Sequence, residues 1–215
     1  WLADSVKENR DQAIALRKQA IEGAKILGAK YFIIEFECFT NWPHPNKSQD
    51  ADPTAEKVYT LWQQSMDEIV EFSSKSGISI AVENVPGISC IKQMDIINRW
   101  SPDFVCVCLD SSHATYGMEY FYEHVEILLP RTKTTHLSDN DGLKEDQWSD
   151  RHWLPFQGNI NWDRLARIMI QSGYRGCYML EVLNDRKGIT RELMESAFSF
   201  RSIIESNMAL FQRGQ

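Results

Sequence analysis

Residues 105–114 read VCVCLDSSHA. Small and β-branched apolar residues run as far as Leu109, Asp110 ends the run, and His113 follows three positions later. A strand that reads as buried on both faces has no ordinary reason to finish in a carboxylate. One explanation is helix capping, because a βα loop often closes with Asp at the N-cap of the next helix. The other is a functional group carried on a strand end, and the rest of the chain decides between them.

Other β-rich runs share this rhythm: YFIIEF (31–36), ISIAVE (78–83), TKTTHL (132–137) and CYMLEV (177–182). Helical patterns fall between them at about 53–76, 91–100, 114–128, 161–172 and 188–208. A leading amphipathic helix carries Ala13, Ile14, Leu16, Ala20, Ile21, Ala24 and Leu27 ahead of Gly28, which fits a C-cap. Strand–helix alternation predicts parallel strands joined by crossover helices, hence an α/β fold in a single domain over residues 1–215. A (β/α)8 TIM barrel has eight strands and usually needs ~250 residues. Strands four to eight of such a barrel are therefore expected here, with the first three lacking from this chain. The start at Trp1, running straight into a helix, points the same way. An open doubly wound sheet is the alternative, but no GxGxxG or GxxxxGK loop accompanies it.

Side chains alternate along a strand, so residues two apart share a face. Read backwards, Glu83 lies with Ala81 and Ser79, Asp110 with Cys108 and Cys106, His136 with Thr134 and Thr132, and Glu181 with Met179 and Cys177. The bulkier apolar residues mostly occupy the opposite face. Capping accounts for Asp110 alone. It does not account for Glu83, His136 and Glu181 in the same phase at carboxyl ends, where α/β barrels keep their active sites. Three carboxylates and an imidazole would repel without a partner, and a divalent cation resolves that. Glu83, Asp110, His136 and Glu181 are the expected metal ligands. An oxygen-rich set with one nitrogen favours Mn²⁺, with Mg²⁺, Co²⁺ or Zn²⁺ as alternatives.

Composition bounds the partners. Hydrophobic residues make up 43% and charged residues 25%, ordinary for a globular chain. A net charge of −7 argues against non-specific binding to nucleic acid or an anionic membrane, and no apolar run reaches membrane-spanning length. The five cysteines carry no CxxC spacing, which predicts a reducing, cytoplasmic setting. Cys106 and Cys108 read as core thiols on one strand face.

The motifs ENVPG (83–87), LDSSH (109–113), HLSDNDG (136–142), DRHWLPFQGNINW (150–162) and GYRGCYMLEV (173–182) resemble, in order and spacing, the xylose isomerase-like TIM-barrel superfamily. That superfamily includes sugar phosphate isomerases and epimerases and the family 2 AP endonucleases. The resemblance implies metal ligation by Glu83, Asp110, His136 and Glu181, and substrate contact by His113. It further implies isomerisation or epimerisation of a small sugar, sugar phosphate or polyol. A C–H is acidified through a metal-stabilised enediolate, with Glu83 and Glu181 exchanging the proton as base and acid. An inosose dehydratase-like lyase is the nearest alternative, and a non-catalytic metal-binding remnant is another. An endonuclease IV-like repair enzyme fits the acidic charge less well. The chain departs from the ketose 3-epimerases at Ser89 and Gly142, which stand near a Glu and an Arg of that group. It also lacks the Lys-bearing loop of xylose isomerase itself after Glu83.

Asp150 and His152 form a D-x-H pair that the resemblance implies binds zinc, as in endonuclease IV, or helps to shape a substrate pocket, as in single-metal relatives; a loop salt bridge or a contact orienting His136 explains it equally. Trp42 is a candidate sugar-stacking wall beside His44, although a packed loop explains both equally. Trp153 and Phe156 either close over substrate or anchor a long loop. His124 reads as a helix-surface residue and Asn161 as the N-cap of the helix that follows. An unpaired barrel edge would favour a homo-oligomer.

Overall fold

The structure is a computed structural model that describes residues 1–36, 53–86, 88–115, 120–142, 151–183 and 190–213. Trp42, His44 and Asp150 lie outside the described residues. The chain divides into two compact units, Trp1–Cys108 and Leu109–Gln215.

The first unit contains α1 (Lys7–Ile26), β1 (Tyr31–Glu35), α2 (Pro53–Ser76), β2 (Ser79–Glu83), α3 (Cys90–Ile97) and most of β3 (Val105–Asp110). β1 and β2 pair in parallel from Tyr31 opposite Ser79 to Glu35 opposite Glu83. β2 and β3 pair in parallel from Ile80 opposite Val105 to Glu83 opposite Cys108. Ala81, Cys106 and Cys108 form a buried cluster on one face, with Tyr31 and Ile33 packed against it. The β-branched residues Ile80, Val82, Val105 and Val107 are buried at the alternate positions. The expected phase therefore holds, and both thiols sit in the core. By that alternation Glu83, buried at 4% exposure, ends β2 in phase with Ala81.

Helix α2 forms because Tyr59, Trp62, Met66 and Ile69 recur at helical spacing, and all four are buried. The Trp62 ring lies 4.4 Å from that of Phe36 and meets the Trp100 ring edge-on at 6.0 Å. Helix α1 buries a narrower stripe than its sequence predicts. Ala13, Ile14 and Ile21 are buried, whereas Leu16 and Leu27 are exposed. Leu16 lies about 200° around the helix from Ile14. Leu27 is the cap residue beyond the last turn. Gly28 then takes φ 72°, where its N–H donates to Lys25 O (3.0 Å) and that of Ala29 to Ala24 O (2.9 Å). These paired bonds close the helix as the glycine predicts.

The second unit holds the end of β3, α4 (Ser111–Ala114), α5 (Phe121–Leu128), a 3₁₀ turn (Leu129–Arg131), β4 (Thr132–His136), α6 (Trp162–Gln171) and α7 (Thr190–Arg213). The single helix expected over 114–128 is two in its described parts. His124, expected on an exposed helix surface, is half-buried, and its Nδ1 contacts the Ala114 carbonyl at 3.2 Å. Asn161 caps α6 as expected, its side chain accepting from Arg164 N at 3.0 Å. Leu165, Ala166, Met169 and Ile170 form the buried stripe of α6. Trp162 meets Phe200 of α7 edge-on at 4.9 Å.

The strand expected at 177–182 is corrected to one isolated parallel bridge, Leu137 with Leu180. Leu137 N donates to Met179 O (2.8 Å) and Glu181 N to Leu137 O (3.0 Å). The reason is local. The Thr135 hydroxyl donates to Cys177 O and accepts from Met179 N, both at 3.0 Å. A side chain thus takes groups that a ladder would use, and the strands four to eight of the expectation reduce to four strands and this bridge among the described residues. No described helix is long and apolar enough to cross a membrane.

Candidate metal centre

Asp110 ends β3 and is fully buried. It is the N-cap of α4, with Oδ1 accepting from His113 N at 2.8 Å. Capping, one of the two readings of VCVCLDSSHA, therefore holds. It does not displace the other, because the same carboxylate also joins a convergent set. Ser111 and Ser138 tie the end of β3 to the segment after β4. Ser111 Oγ donates to Ser138 O (2.7 Å) and accepts from Ser138 N (2.9 Å).

His136, the last residue of β4, places Nδ1 2.9 Å from Glu181 Oε2. Asp110, His136 and Glu181 each offer one carboxylate oxygen or imidazole nitrogen, and these atoms lie within 4.8 Å of one another. Two ligands held at about 2.1 Å by one ion stand at most about 4.2 Å apart. A contraction of a few tenths of an ångström thus brings the three into a first coordination sphere, so these residues fit a divalent cation. The Glu181 carboxyl is held below its ordinary range, first by the hydrogen bond from His136, with the charges of His136, His152 and His113 adding and partial burial opposing. Glu181 is therefore ionised at neutral pH, as a ligand must be.

A second triplet shares Asp110. Ligand atoms of Asp110, His113 and His152 also fall within 4.8 Å of one another. His113 Nδ1 is 3.9 Å from Asp110 Oδ1, and the His113 and His152 rings meet edge-on at 5.6 Å. Of the D-x-H pair, Asp150 lies outside the described residues, and His152 places Nδ1 3.1 Å from the Glu181 carbonyl and 3.9 Å from its Oε2.

Sequence reasoning gave Asp139 no role, yet it organises the loop. Fully buried, it accepts at Oδ1 from Asn140 N (2.9 Å) and Ile160 N (3.2 Å). At Oδ2 it accepts from Phe156 N (2.9 Å) and Trp162 Nε1 (2.8 Å). Its main chain pairs antiparallel with Trp153, at 2.8 and 3.0 Å. Of the two readings for Trp153 and Phe156, loop anchoring is the one these bonds support. Gly158 is required by close approach, since a Cβ there would lie 2.3 Å from Asn140 O and 2.4 Å from Asp139 Oδ1. Within the same loop His152 and Phe156 have φ of 42° and 78°, left-handed values that cost about 1–3 kcal/mol each unless surroundings enforce them. The signal available in the sequence was one Asp inside HLSDNDG, indistinguishable there from its neighbours Asn140 and Asp141.

Glu83, in the first unit, ends β2 with main-chain pairing on both sides, to β1 and to β3. Ser89, which stands near the position of an epimerase Glu, is the N-cap of α3 and accepts from Lys92 N at 3.1 Å.

The profile of a family described as "Xylose isomerase-like TIM barrel" matches residues 1–201. An uncharacterized protein, y4fM, of Sinorhizobium fredii is 27% identical over 184 residues, 82% of this chain and 55% of that protein. The chain spans about half the length of the curated relatives it matches. A D-tagatose 3-epimerase-like protein superposes with a TM-score of 0.74 at 22% identity, over 95% of this chain and 74% of that one. The IOLI protein with a binding zinc atom gives 0.67 at 17% identity, over 95% and 73%. At these identities the likeness shows the fold.

Proposed function

Because the chain belongs to the xylose isomerase-like TIM barrel family, we propose that it is a divalent-metal-dependent isomerase or epimerase of a small sugar, sugar phosphate or polyol derivative. The convergence of Asp110, His136 and Glu181 carries this reading. The similar solved structures, one described as epimerase-like and another with zinc, support it. Glu83 is the proposed fourth ligand on the strength of its phase and position at the end of β2. A donor set of three carboxylates and one imidazole suits Mn²⁺, with Mg²⁺, Co²⁺ and Zn²⁺ as alternatives.

When bound, the cation withdraws electron density from adjacent carbonyl and hydroxyl oxygens of a ketose and acidifies the neighbouring C–H. The remaining work falls to side chains. One of Glu83 and Glu181, ionised, takes the carbon-bound proton: the C–H bond breaks, an O–H bond forms on the carboxyl, and the electron pair stays in an enediolate. The proton then returns to carbon. Return by the same carboxyl to the adjacent carbon, with the hydroxyl proton passing to the former carbonyl oxygen, moves the carbonyl; delivery of a different proton by the other glutamate, in its acid form, to the opposite face inverts a centre. His113 and His152 contact substrate hydroxyls, with Asp150 and Trp42 as further proposed contacts. The substrate is a free small molecule, no membrane or nucleic acid takes part, and the setting is cytoplasmic.

The test is turnover of a ketose panel in D2O with Mn²⁺, followed by NMR. Deuterium appearing at carbon with the carbon skeleton and water content of the sugar retained supports the proposal. Loss of water from the sugar replaces it with a dehydratase, and no change in any ketose with Mn²⁺ bound refutes catalysis on this class.

A further inference from the structure

We infer that Ser111 is a positioning residue of the metal centre, whose one hydroxyl sets the spacing between Asp110 and His136. This rests on the divalent-cation site proposed above and adds to it a residue that touches neither ion nor substrate.

Ser111 follows Asp110 directly, and Ser138 stands two residues beyond His136. Both serines are fully buried. Ser111 Oγ donates to Ser138 O at 2.7 Å and accepts from Ser138 N at 2.9 Å. A hydroxyl carries one hydrogen, and the Ser138 carbonyl takes it, so Ser111 has none to give to a substrate. Both polar groups of the Ser138 main chain are thus bonded by one side chain. That side chain stands in for main-chain pairing just past the ends of β3 and β4, where the ligands sit.

Each ligand is also held away from this link. Asp110 Oδ1 accepts from His113 N at 2.8 Å, which fixes the direction of the carboxylate. Leu137, between His136 and Ser138, is bonded to the segment that bears Glu181: its N donates to Met179 O and its O accepts from Glu181 N. His136 and Glu181 therefore move together, and the Ser111 hydroxyl joins Asp110 to that pair. A second link, Asn140 Nδ2 to Ser112 Oγ at 2.8 Å, lies farther along the chain from both ligands and runs between side chains. The Ser111 bond reaches main chain, so its geometry passes directly to the backbone of His136. The ligand atoms lie within 4.8 Å of one another, a few tenths of an ångström more than an ion requires. Sites of this kind tolerate only about 0.5 Å of misplacement, so slippage between the two strand ends costs affinity.

The experiment is calorimetric titration of the full chain with Mn²⁺, for wild type, S111A and S111T, and for S111A combined with H136A against H136A alone. S111A is expected to lower Mn²⁺ affinity about tenfold, the low end for a residue that acts through a ligand. In the H136A background the same change is expected to cost less than about threefold, because the spacing has lost one of its ends. S111T keeps the hydroxyl and is expected to stay within about threefold of wild type. Unchanged affinity in S111A overturns the inference. So does an equal loss in both backgrounds, which assigns Ser111 to general folding. An affinity for S111T as low as that of S111A shows that the hydroxyl is not what matters, and overturns it too. Should S111A fail to fold, S111C, with a weakly bonding thiol, takes its place under the same readings. Collapse of both variants gives Ser111 a folding role alone and overturns the inference. Mn²⁺ binding as expected with no ketose turned over refutes the proposed function and leaves the positioning role intact. A wild type that binds no Mn²⁺ refutes both.

Discussion

Glu83 and Glu181 end stretches of the same sequence character, ISIAVE and CYMLEV, yet the chain holds them by different means. Glu83 closes a strand paired on both sides, and its carbonyl accepts from Phe36 N at 3.2 Å. It is nearly fully buried. Glu181 follows a single bridge, its segment is fastened by the Thr135 hydroxyl, and its side chain is 42% exposed. Regular pairing fixes the first carboxylate, and individual side-chain bonds fix the second. A stretch can thus keep the phase of a strand without the ladder of one.

The sharpest way to break the contrast is to attack the regular half at its core. Trp62→Ala should cost about 3–5 kcal/mol in urea denaturation, because a large, fully buried side chain leaves a cavity. A loss below about 1 kcal/mol would mean that the packing of α2 does not support its strands. On the irregular side, His136→Ala should weaken Mn²⁺ binding by at least about 100-fold in calorimetric titration, more than the loss of an orienting contact gives. Unchanged affinity would remove the cation from the account.

Thr135→Val keeps the shape but deletes the hydroxyl between Cys177 O and Met179 N. A cost of about 1–2 kcal/mol is expected, since Tyr174 Oη still serves Cys177 O at 2.7 Å while Met179 N loses its acceptor. Mn²⁺ affinity should fall about tenfold as Glu181 loses its placement. Retained affinity would show that the bridge at Leu180 suffices alone.

The smallest effect is expected at the α6–α7 contact. Asn207 Nδ2 donates to Asp163 Oδ1 at 2.8 Å, and this bond, with Arg167 adding, lowers the Asp163 pKa from its ordinary 3.8. A lowered folded-state value contributes stability that is present above the unfolded value and lost as pH falls through the folded one. Asn207→Ala should therefore destabilise by no more than about 1 kcal/mol at neutral pH, given that Asp163 is half exposed. Thermal melts of variant and wild type should converge below pH 4. A difference that grows on acidification would reverse the assignment.

Much of this was legible from period alone. The small-residue face of Ala81, Cys106 and Cys108, the stripe of α2 and the Asn161 cap all follow from spacing. So did the common phase of Asp110, His136 and Glu181, and three of the proposed ligands do converge. What escaped was set by side chains bonding to main chain across long separations. Thr135 reaches Cys177, 42 residues away, and Asp139 reaches Trp162, 23 away. Such bonds leave no periodic trace, and a Thr or an Asp that makes one looks like any other.

A segment held by one bridge and scattered side-chain bonds opens at a lower free energy than strands paired on both sides. In deuterated solvent the Met179 amide should therefore exchange before those of β2, without the protein unfolding. At the proposed metal site the Glu181 carboxylate would leave and return with that breathing and so gate a bound cation. Residence of that ion would then depend on the Thr135 hydroxyl as much as on the atoms that touch it.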